Sequence, residues 1–516
     1  MSKYFFQIIF VFTVVFILQA CSAGGGETGT GQDDIPTVPE DTSVTVGVIT
    51  GFGSVYVNGV KYATTENTSL SIDGDETKTE SELAVGMLVT LSGSVSDDGS
   101  NGVANSITFE NNVEGTVITN DLANNGELDV MGQNIIVDKD TIFHSQNGVV
   151  DTVEKILPGH VVEVSGFSSG DGNIYATRIE LKRDSFNIGE EIEVKGSIRA
   201  IIDSSSFTIG QLTVTYLSTV LNGFTDPVKV GDFVSVKSID GVNGNGELIA
   251  SEIELKEKNS LSSSLDVDKE IELEGVISDF NSEAKTFSLN TESIVLAESP
   301  KYEGGAFENL SNKVKIKIEG IINQDGVIVA SEVTIKQAFS GYYEGNITAI
   351  DYEARSITLL NLEIFINNST RLKDDLEDES DDIDYDRQYF NFDNLRVGDN
   401  VEVSVFSKIV NTGDGTVLVA SRLERNNEKE QSDVGGTIGI ERELEGVVSN
   451  YTMGSPTITV SGVTINIENV QLEGILDNGV TVEVHGLETT NGWFATEIGV
   501  KDVEGEDDEL EEVEEN

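Results

Sequence analysis

Apolar residues recur at every second position along most of this chain, which is the spacing of a β-strand with one buried face. Residues 44–110 show the pattern in the successive runs VTVGVITGF, SVYVNGVKY, SLSID, MLVTLSGSV and VANSITFE. Asn58-Gly59 separates two alternating runs, and both residue types accept the positive φ of a tight hairpin turn. The pattern therefore predicts about five short antiparallel strands in this stretch.

The same succession of runs occurs six times. Each unit opens with a glycine before an alternating run and ends with an alanine three residues before an apolar position. The glycines are Gly47, Gly115, Gly196, Gly275, Gly345 and Gly446, and the alanines are Ala104, Ala176, Ala250, Ala330, Ala420 and Ala495. Because two independent markers recur in one order, the sequence predicts six homologous repeats.

Five short strands in some seventy residues cannot bury both faces of a flat sheet, and a small closed barrel solves this problem. The OB fold is the best-known five-stranded case. Each alanine lies an odd number of residues from the next apolar position, which indicates a bulge or a tight strand crossing. We predict an all-β protein of six tandem antiparallel, OB-like barrels on a string, with an extended shape.

The markers also divide the chain. We expect a signal peptide at 1–20, a Gly-rich tether at 21–43, barrel repeats at 44–110, 113–182, 192–256, 271–336, 342–425 and 443–501, and an acidic tail at 502–516. Repeat 5 is longest because it carries an acidic insertion at 372–395.

Each unit joins an opening glycine, an alternating hairpin, a turn such as Val230-Gly231 or Val397-Gly398, and a terminal Ala-x-x-Ile or a close variant. This order resembles the bacterial repeat family known as domain of unknown function 5666, which is often found in lipoproteins. The resemblance covers roughly residues 44–501. It implies no catalytic residue and no ligand, because none is established for that family.

The amino terminus has the features of a secretory signal. A short positive start precedes an apolar run at 4–18, which is too short to span a bilayer, and Leu18-Gln19-Ala20-Cys21 follows. This resembles a bacterial lipoprotein signal and implies cleavage before Cys21 and a membrane anchor of lipid on that residue. Ser22 after the cysteine implies the outer membrane, at its periplasmic face or the cell surface. The alternative is an ordinary secretory signal with an incidental cysteine.

Charge and rare residues exclude several classes of protein. The chain has 91 acidic and 32 basic side chains, a net charge of −59, which opposes binding to nucleic acid. One cysteine cannot form an intrachain disulfide. The three histidines, His144, His160 and His485, lie in different contexts, and we interpret them as structural residues.

The insertion at 372–395 holds the single candidate metal site. Its aspartates at positions 1, 3, 5 and 12 of a calcium-loop pattern are Asp382, Asp384, Asp386 and Asp393. Arg387 stands where such a loop needs glycine, and no helix pattern flanks it. Ca²⁺ is therefore the only cofactor that the sequence suggests. The alternative to a calcium site is a solvated acidic loop.

Aromatic residues complicate the interpretation of the insertion as solvated. Tyr385, Tyr389, Phe390 and Phe392 lie within it. We expect them to fold the insertion back onto a barrel or to form a contact surface.

No GxSxG, HExxH or phosphate-binding loop occurs, and carboxylates are too abundant for one pair to stand out. An enzyme is therefore not indicated. The sequence favours a lipid-anchored, non-catalytic binding, spacing or adhesion module whose ligand is a protein or glycan. Two alternatives remain open: a calcium-dependent surface protein, and an envelope hydrolase or carbohydrate-active enzyme with a site between repeats.

Overall fold

The computed structural model describes residues 43–96, 98–122, 127–145, 150, 152–170, 172–256, 267–336, 339–376, 389–409, 416–434, 437–468 and 470–501. Strands dominate this part of the chain, and short 3-10 helices lie between some of them. None of the helices within these ranges has the length and apolar character that a bilayer crossing requires.

The first three repeats contain the strands β1 to β19. Repeat 1 has β1 (Ser43–Gly51), β2 (Val55–Val57), β3 (Val60–Ala63), β4 (Ser69–Ile72), a 3-10 helix at Glu80–Glu82, β5 (Leu88–Val95) and β6 (Asn101–Phe109). Repeat 2 has β7 (Val113–Asp121), β8 (Glu127–Val130), β9 (Gln133–Ile136), β10 (Ile142–Ser145), a 3-10 helix at Val153–Lys155, β11 (Val161–Ser168) and β12 (Asn173–Arg183). Repeat 3 has β13 (Ile192–Asp203), β14 (Ser206–Ile209), β15 (Leu212–Thr215), a 3-10 helix at Ser218–Val220, β16 (Leu221–Asn222), β17 (Phe233–Ser238), β18 (Glu247–Ile249) and β19 (Glu252–Lys256).

The last three repeats contain β20 to β38. Repeat 4 has β20 (Glu270–Asn281), β21 (Thr286–Leu289), β22 (Glu292–Glu303), a 3-10 helix at Phe307–Asn309, β23 (Lys315–Ile322) and β24 (Ile328–Ile335). Repeat 5 has β25 (Phe339–Asn346), β26 (Ala349–Asp351), β27 (Ser356–Leu359), β28 (Leu362–Phe365), β29 (Arg371–Asp374), a 3-10 helix at Phe392–Asn394, β30 (Asn400–Ile409) and β31 (Thr416–Asn426). Repeat 6 has β32 (Gln431–Val434), β33 (Thr437–Ser449), β34 (Thr457–Val460), β35 (Val463–Asn466), β36 (Gln471–Glu473), β37 (Thr481–Thr489) and β38 (Gly492–Lys501).

Each repeat contains a closed barrel of five strands, and in repeats 1, 2, 3, 5 and 6 a further short strand (β4, β10, β16, β29 or β36) runs parallel to the last strand of the barrel. In repeat 1, β1 pairs with β2 and β5, β2 pairs with β3, β3 runs parallel to β6, and β5 pairs antiparallel with β6. Repeats 2, 4 and 6 close in the same order. Repeats 3 and 5 do so through a strand that is briefly interrupted. The predicted all-β, OB-like fold is confirmed.

The alanine marker lies at an irregularity between the last two strands of the barrel, which we call the fourth and fifth barrel strands and which are β5 and β6 in repeat 1. In repeat 1 the register shifts between Ser92 and Gly93, and Gly93 faces Ala104. A Cβ at Gly93 would lie 2.4 Å from the carbonyl oxygen of Val103, so the crossing admits only small residues. The predicted bulge is therefore confirmed.

The first strands join the barrels in three pairs. β1 runs parallel to β20, β7 pairs antiparallel with β13, and β25 pairs antiparallel with β33, which joins repeats 1 and 4, 2 and 3, and 5 and 6. Val113 faces Val194 across the second of these seams, and both are fully buried. Apolar residues of repeats 2 and 3 form one continuous core, as do those of repeats 5 and 6.

The expected extended string of separate barrels is wrong, because the described residues between 43 and 501 form one compact unit. The prediction assumed one buried face for each strand. β1 is buried at eight consecutive positions from Val44 to Gly51, so both of its faces are covered. A first strand with two apolar faces needs a neighbouring barrel on its outer side.

Candidate functional site

A group of buried ionisable side chains lies at the seam of repeats 2 and 3. Glu163 of β11 faces Glu180 of β12 on one side and Glu114 of β7 on the other, and Glu114 faces Glu193 of β13 across the seam. We call these four residues the 2–3 ladder. Glu163, Glu180 and Glu193 are each only 8% exposed. Like charges in directly opposed positions weaken strand pairing, so the ladder needs compensating cations.

Basic side chains from neighbouring positions provide that compensation. Arg178 Nη2 lies 3.0 Å from Glu180, and Lys182 Nζ lies 3.3 Å from Glu163 and 3.4 Å from Glu180. Arg183 Nη2 lies 2.9 Å from Glu114, and Lys195 Nζ lies 3.2 Å from Glu193. The four glutamates are thus held within an ion-pair network.

Neighbouring carboxyl groups in this network have opposite pKa shifts. Burial raises the pKa of Glu163 to about 7, because Lys182 compensates it only partly and Glu180 repels its charge. Burial alone would also raise the pKa of Glu180, but Arg178 and Lys182 outweigh it and lower the pKa to about 2. Such pairs occur at acid–base sites, and they also occur in structural ion-pair networks.

A second ladder occupies the equivalent positions of repeats 5 and 6, and we call it the 5–6 ladder. Its members are Glu424, Glu402, Glu344 and Glu443. Glu402 faces Glu424 and Glu344 across the strands, and the backbone N–H of Glu443 donates to Glu344 Oε2 at 3.1 Å. Burial raises the pKa of Glu402, whereas Lys373 and Arg422 overcome the effect of burial and lower the pKa of Glu424. The two ladders therefore share both geometry and charge pattern.

Residues 138–143 of repeat 2 connect the two pairs. Lys139 Nζ lies 2.5 Å from Glu443 and 3.3 Å from Glu483 of repeat 6, and 4.7 Å from the ring centre of Tyr342 of repeat 5. The Lys139 carbonyl accepts a hydrogen bond from Ser404 of repeat 5 at 2.7 Å. One short segment thereby contacts two other barrels.

A second contact between barrels uses the turn before the fourth barrel strand. In repeat 1 this turn is Val85-Gly86, and Val85 O accepts a hydrogen bond from Arg178 Nη1 of repeat 2 at 3.3 Å. A Cβ at Gly86 would lie 2.8 Å from the carbonyl oxygen of Thr177. The turn is therefore packed tightly against repeat 2.

The same turn is exposed in two other repeats. Val230 of repeat 3 is 60% exposed and Val397 of repeat 5 is 63% exposed, against 9% for Val85. The glycines that follow, Gly231 and Gly398, have positive φ like Gly86 and no atom within 4 Å of a Cβ position. A turn that binds a barrel in repeat 1 thus faces outward in repeats 3 and 5.

The predicted calcium site is only partly described. Asp382, Asp384 and Asp386 lie outside the described residues. Asp393 is exposed, and its backbone N–H donates to Asn391 Oδ1 at 2.9 Å in the cap of a 3-10 helix. Among the residues that the structure describes, no group of three or more His, Cys, Asp or Glu is arranged to hold a metal ion. Calcium binding stays a prediction, and Cys21 also lies outside these residues.

The described aromatic residues of the insertion fold back onto the barrels, which confirms the first of the two expectations. Phe390 and Phe392 are buried in the core of repeats 5 and 6. The guanidinium of Arg425 lies 4.6 Å from the ring centre of Phe390. Tyr389 packs against the core of repeat 1, and Tyr385 lies outside the described residues.

The histidines occupy separate places. His160 is buried and its Nδ1 accepts a hydrogen bond from Leu157 N at 3.3 Å. His144 lies opposite Glu180 in the 2–3 ladder, and His485 lies opposite Glu443 in the 5–6 pair.

The ladders were not predicted from the sequence, although a signal for them exists. Glu180 and Glu424 each lie four residues after the alanine marker, and Glu114 and Glu344 each precede the opening glycine. Comparison of repeat 2 with repeat 5 would have revealed these shared positions. Their opposition across the seam depends on strand pairing between repeats, which the pattern within one repeat does not contain.

Comparison with known protein families gives six matches to one family, described as domain of unknown function (DUF5666), at residues 45–108, 114–180, 195–254, 274–334, 344–424 and 445–499. These matches cover most of the chain. The chain belongs to this family. Each DUF5666 match corresponds to one barrel, which confirms the resemblance. No curated protein matches the chain.

Proposed function

We propose that this DUF5666 protein is a non-catalytic binding or adhesion platform of the cell envelope, held at the outer membrane by lipid on Cys21. The observation that carries the binding role is the turn before the fourth barrel strand. In repeat 1 it binds another barrel of the same chain, and in repeats 3 and 5 it is exposed with Val230 and Val397 at its tip. Its ligand is a protein or a glycan.

The packing of the barrels favours a platform over a spacer. The described residues between 43 and 501 form one compact unit, so the repeats do not extend the chain as separate barrels would. Several carboxylates at the contacts between repeats are paired with cations, such as Glu443 of repeat 6 with Lys139 of repeat 2 and Asp73 of repeat 1 with Lys195 of repeat 3. These contacts support a structural role for the paired acids.

The binding role is tested with the labelled chain from residue 22 onward and isolated cell envelopes. We expect saturable retention that weakens at least about tenfold in the double variant Val230→Asp and Val397→Asp, because a charge at the tip opposes apolar contact. Ile188→Asp is the matched control, since Ile188 is 82% exposed in the linker between repeats 2 and 3. Equal retention of the double variant and the wild type would contradict the role of the turn, and turnover of envelope glycan would favour a hydrolase.

The anchor is tested separately by Cys21→Ala. The variant should leave the membrane fraction or accumulate uncleaved, because lipid attachment supplies the proposed anchor. Fractionation followed by mass measurement of the amino terminus checks this. A mature variant that remains in the membrane fraction like the wild type would refute the lipid anchor and leave the binding experiment unaffected.

A further inference from the structure

The seam of repeats 2 and 3 places buried acids in opposition where the first strands of the two barrels pair over a short length. β7 and β13 pair at only two positions, Val113 with Val194 and Glu114 with Glu193. One of these two rungs is therefore a pair of glutamates. Ionised carboxylates in such positions repel one another, and burial strengthens the repulsion.

Glu163 is the member of this ladder with the weakest compensation. It faces Glu180 and Lys182 from β12 and Glu114 from β7, and Asp73 of repeat 1 lies near enough to repel its charge. Lys182 is shared with Glu180, at 3.3 Å from Glu163 and 3.4 Å from Glu180. Three acids and one shared cation therefore surround a buried carboxyl group, and burial raises its pKa to about 7.

Glu402 occupies the same position in the 5–6 ladder. It faces Glu424 and Glu344, it is hydrogen-bonded to Tyr342, and its cation Arg422 lies 3.5 Å away and also contacts Glu424. Glu344 is itself paired with Lys429 and Arg442. Asn426 Nδ2 donates to Glu402 Oε1 at 3.0 Å. The arrangement of a shared cation and opposed acids thus occurs twice in the chain.

We propose that the first-strand seams of repeats 2–3 and 5–6 are proton-sensitive joints, in which Glu163 and Glu402 are neutral when the joint is tight and loosen it when they ionise. The proton passes to solvent, and the new charge repels Glu114 or Glu344 on the strand that forms the seam. The 2–3 joint should therefore be tight in mildly acidic medium and looser above neutral pH, and the 5–6 joint should loosen in the same direction as the pH rises.

The direction of the pH dependence follows from a comparison of the pKa of Glu163 in the folded and unfolded states. The pKa of Glu163 is about 7 in the folded chain, against 4.5 for an ordinary glutamate. The folded state therefore holds the proton more strongly, so this group contributes stability fully below about pH 4.5 and loses it as the pH rises to about 7.

Hydrogen exchange of the full mature chain tests the joints, with protection factors corrected for the intrinsic effect of pH. Between pH 5.5 and 8.5 we expect the protection of seam amides in β7 and β13 to fall about ten- to a hundredfold, and the protection of those in β25 and β33 to fall as the pH rises. Glu163→Gln should keep the 2–3 seam protected at pH 8.5 and leave the 5–6 seam as in the wild type. Glu402→Gln should do the reverse.

Glu252→Gln is the control, because Glu252 lies on β19 in the same barrel pair but is exposed. It should behave as the wild type. The proposal would be overturned if the protection of the seam amides in the wild type did not change with pH. It would also be overturned if this protection fell in both glutamine variants as much as in the wild type. The two seams are measured independently, so if one variant fails to fold the other still decides.

Discussion

At the scale of single residues, partly buried charges lie where the barrels meet. Lys139 of repeat 2 lies against carboxylates of repeat 6, and burial, which alone would lower its pKa, is outweighed by Glu443 and Glu483, which raise it. Removing one partner of a buried ion pair leaves the others uncompensated, which costs far more than losing a surface pair. Lys139 should therefore stabilise the folded chain more than a lysine that forms the same pairs on the exposed surface.

Lys139→Met should lower the free energy of unfolding by about 3 kcal/mol, because Glu443 and Glu483 lose their shared cation. Lys301→Met is the matched control: Lys301 is also paired with two glutamates, Glu303 and Glu332, but its side chain is 61% exposed. The control should leave the denaturant midpoint unchanged. Equal midpoints for both variants would show that the 138–143 segment does not hold the barrels together.

At the scale of elements, one turn serves two purposes. The turn before the fourth barrel strand has a glycine with φ of 91° in repeat 1, 92° in repeat 3 and 100° in repeat 5. The backbone requirement is therefore the same in each repeat. Only the surroundings differ, because the turn of repeat 1 meets repeat 2 and the others face outward.

Gly86→Ala and Gly231→Ala separate these two effects. Both substitutions place a side chain at positive φ, which costs about 1 kcal/mol. Gly86→Ala also brings its Cβ to 2.8 Å from the Thr177 carbonyl, so we expect a further loss of about 1–3 kcal/mol and faster hydrogen exchange in β12. Denaturant titration measures the difference. If both variants lose the same stability, the contact between repeats 1 and 2 contributes nothing.

The sequence predicted the secondary-structure elements correctly. It did not predict which elements of other repeats pack against them. The period of two, Asn58-Gly59 and the alanine marker depend on neighbours along the chain, so they predicted strands, hairpins and bulges correctly. The outer partner of β1 is β20, more than two hundred residues later, and no local pattern encodes that pairing. For the same reason Glu163 looked like one of many acids, although its position beside Glu114 and Glu180 distinguishes it.

At the scale of the whole molecule, six barrels form one body despite a net charge of −59. Acidic side chains meet basic ones where barrels touch, as Glu344 of repeat 5 meets Arg442 of repeat 6 at 3.5 Å with both side chains buried. Buried pairs of this kind are screened by salt much less than surface charges are. We therefore expect the packing of the barrels to persist over a wide range of ionic strength at mildly acidic pH.

Small-angle X-ray scattering on the chain from residue 43 to 501 tests this packing most directly. A single globule of this length should have a radius of gyration near about 23 Å, whereas six barrels in file would reach on the order of 180 Å in length and about 50 Å in radius of gyration. At pH 6 we expect a value close to that of the globule and little change between low and moderate salt. A radius of gyration near about 50 Å that grows as salt is removed would contradict the packed arrangement and restore the string of separate barrels.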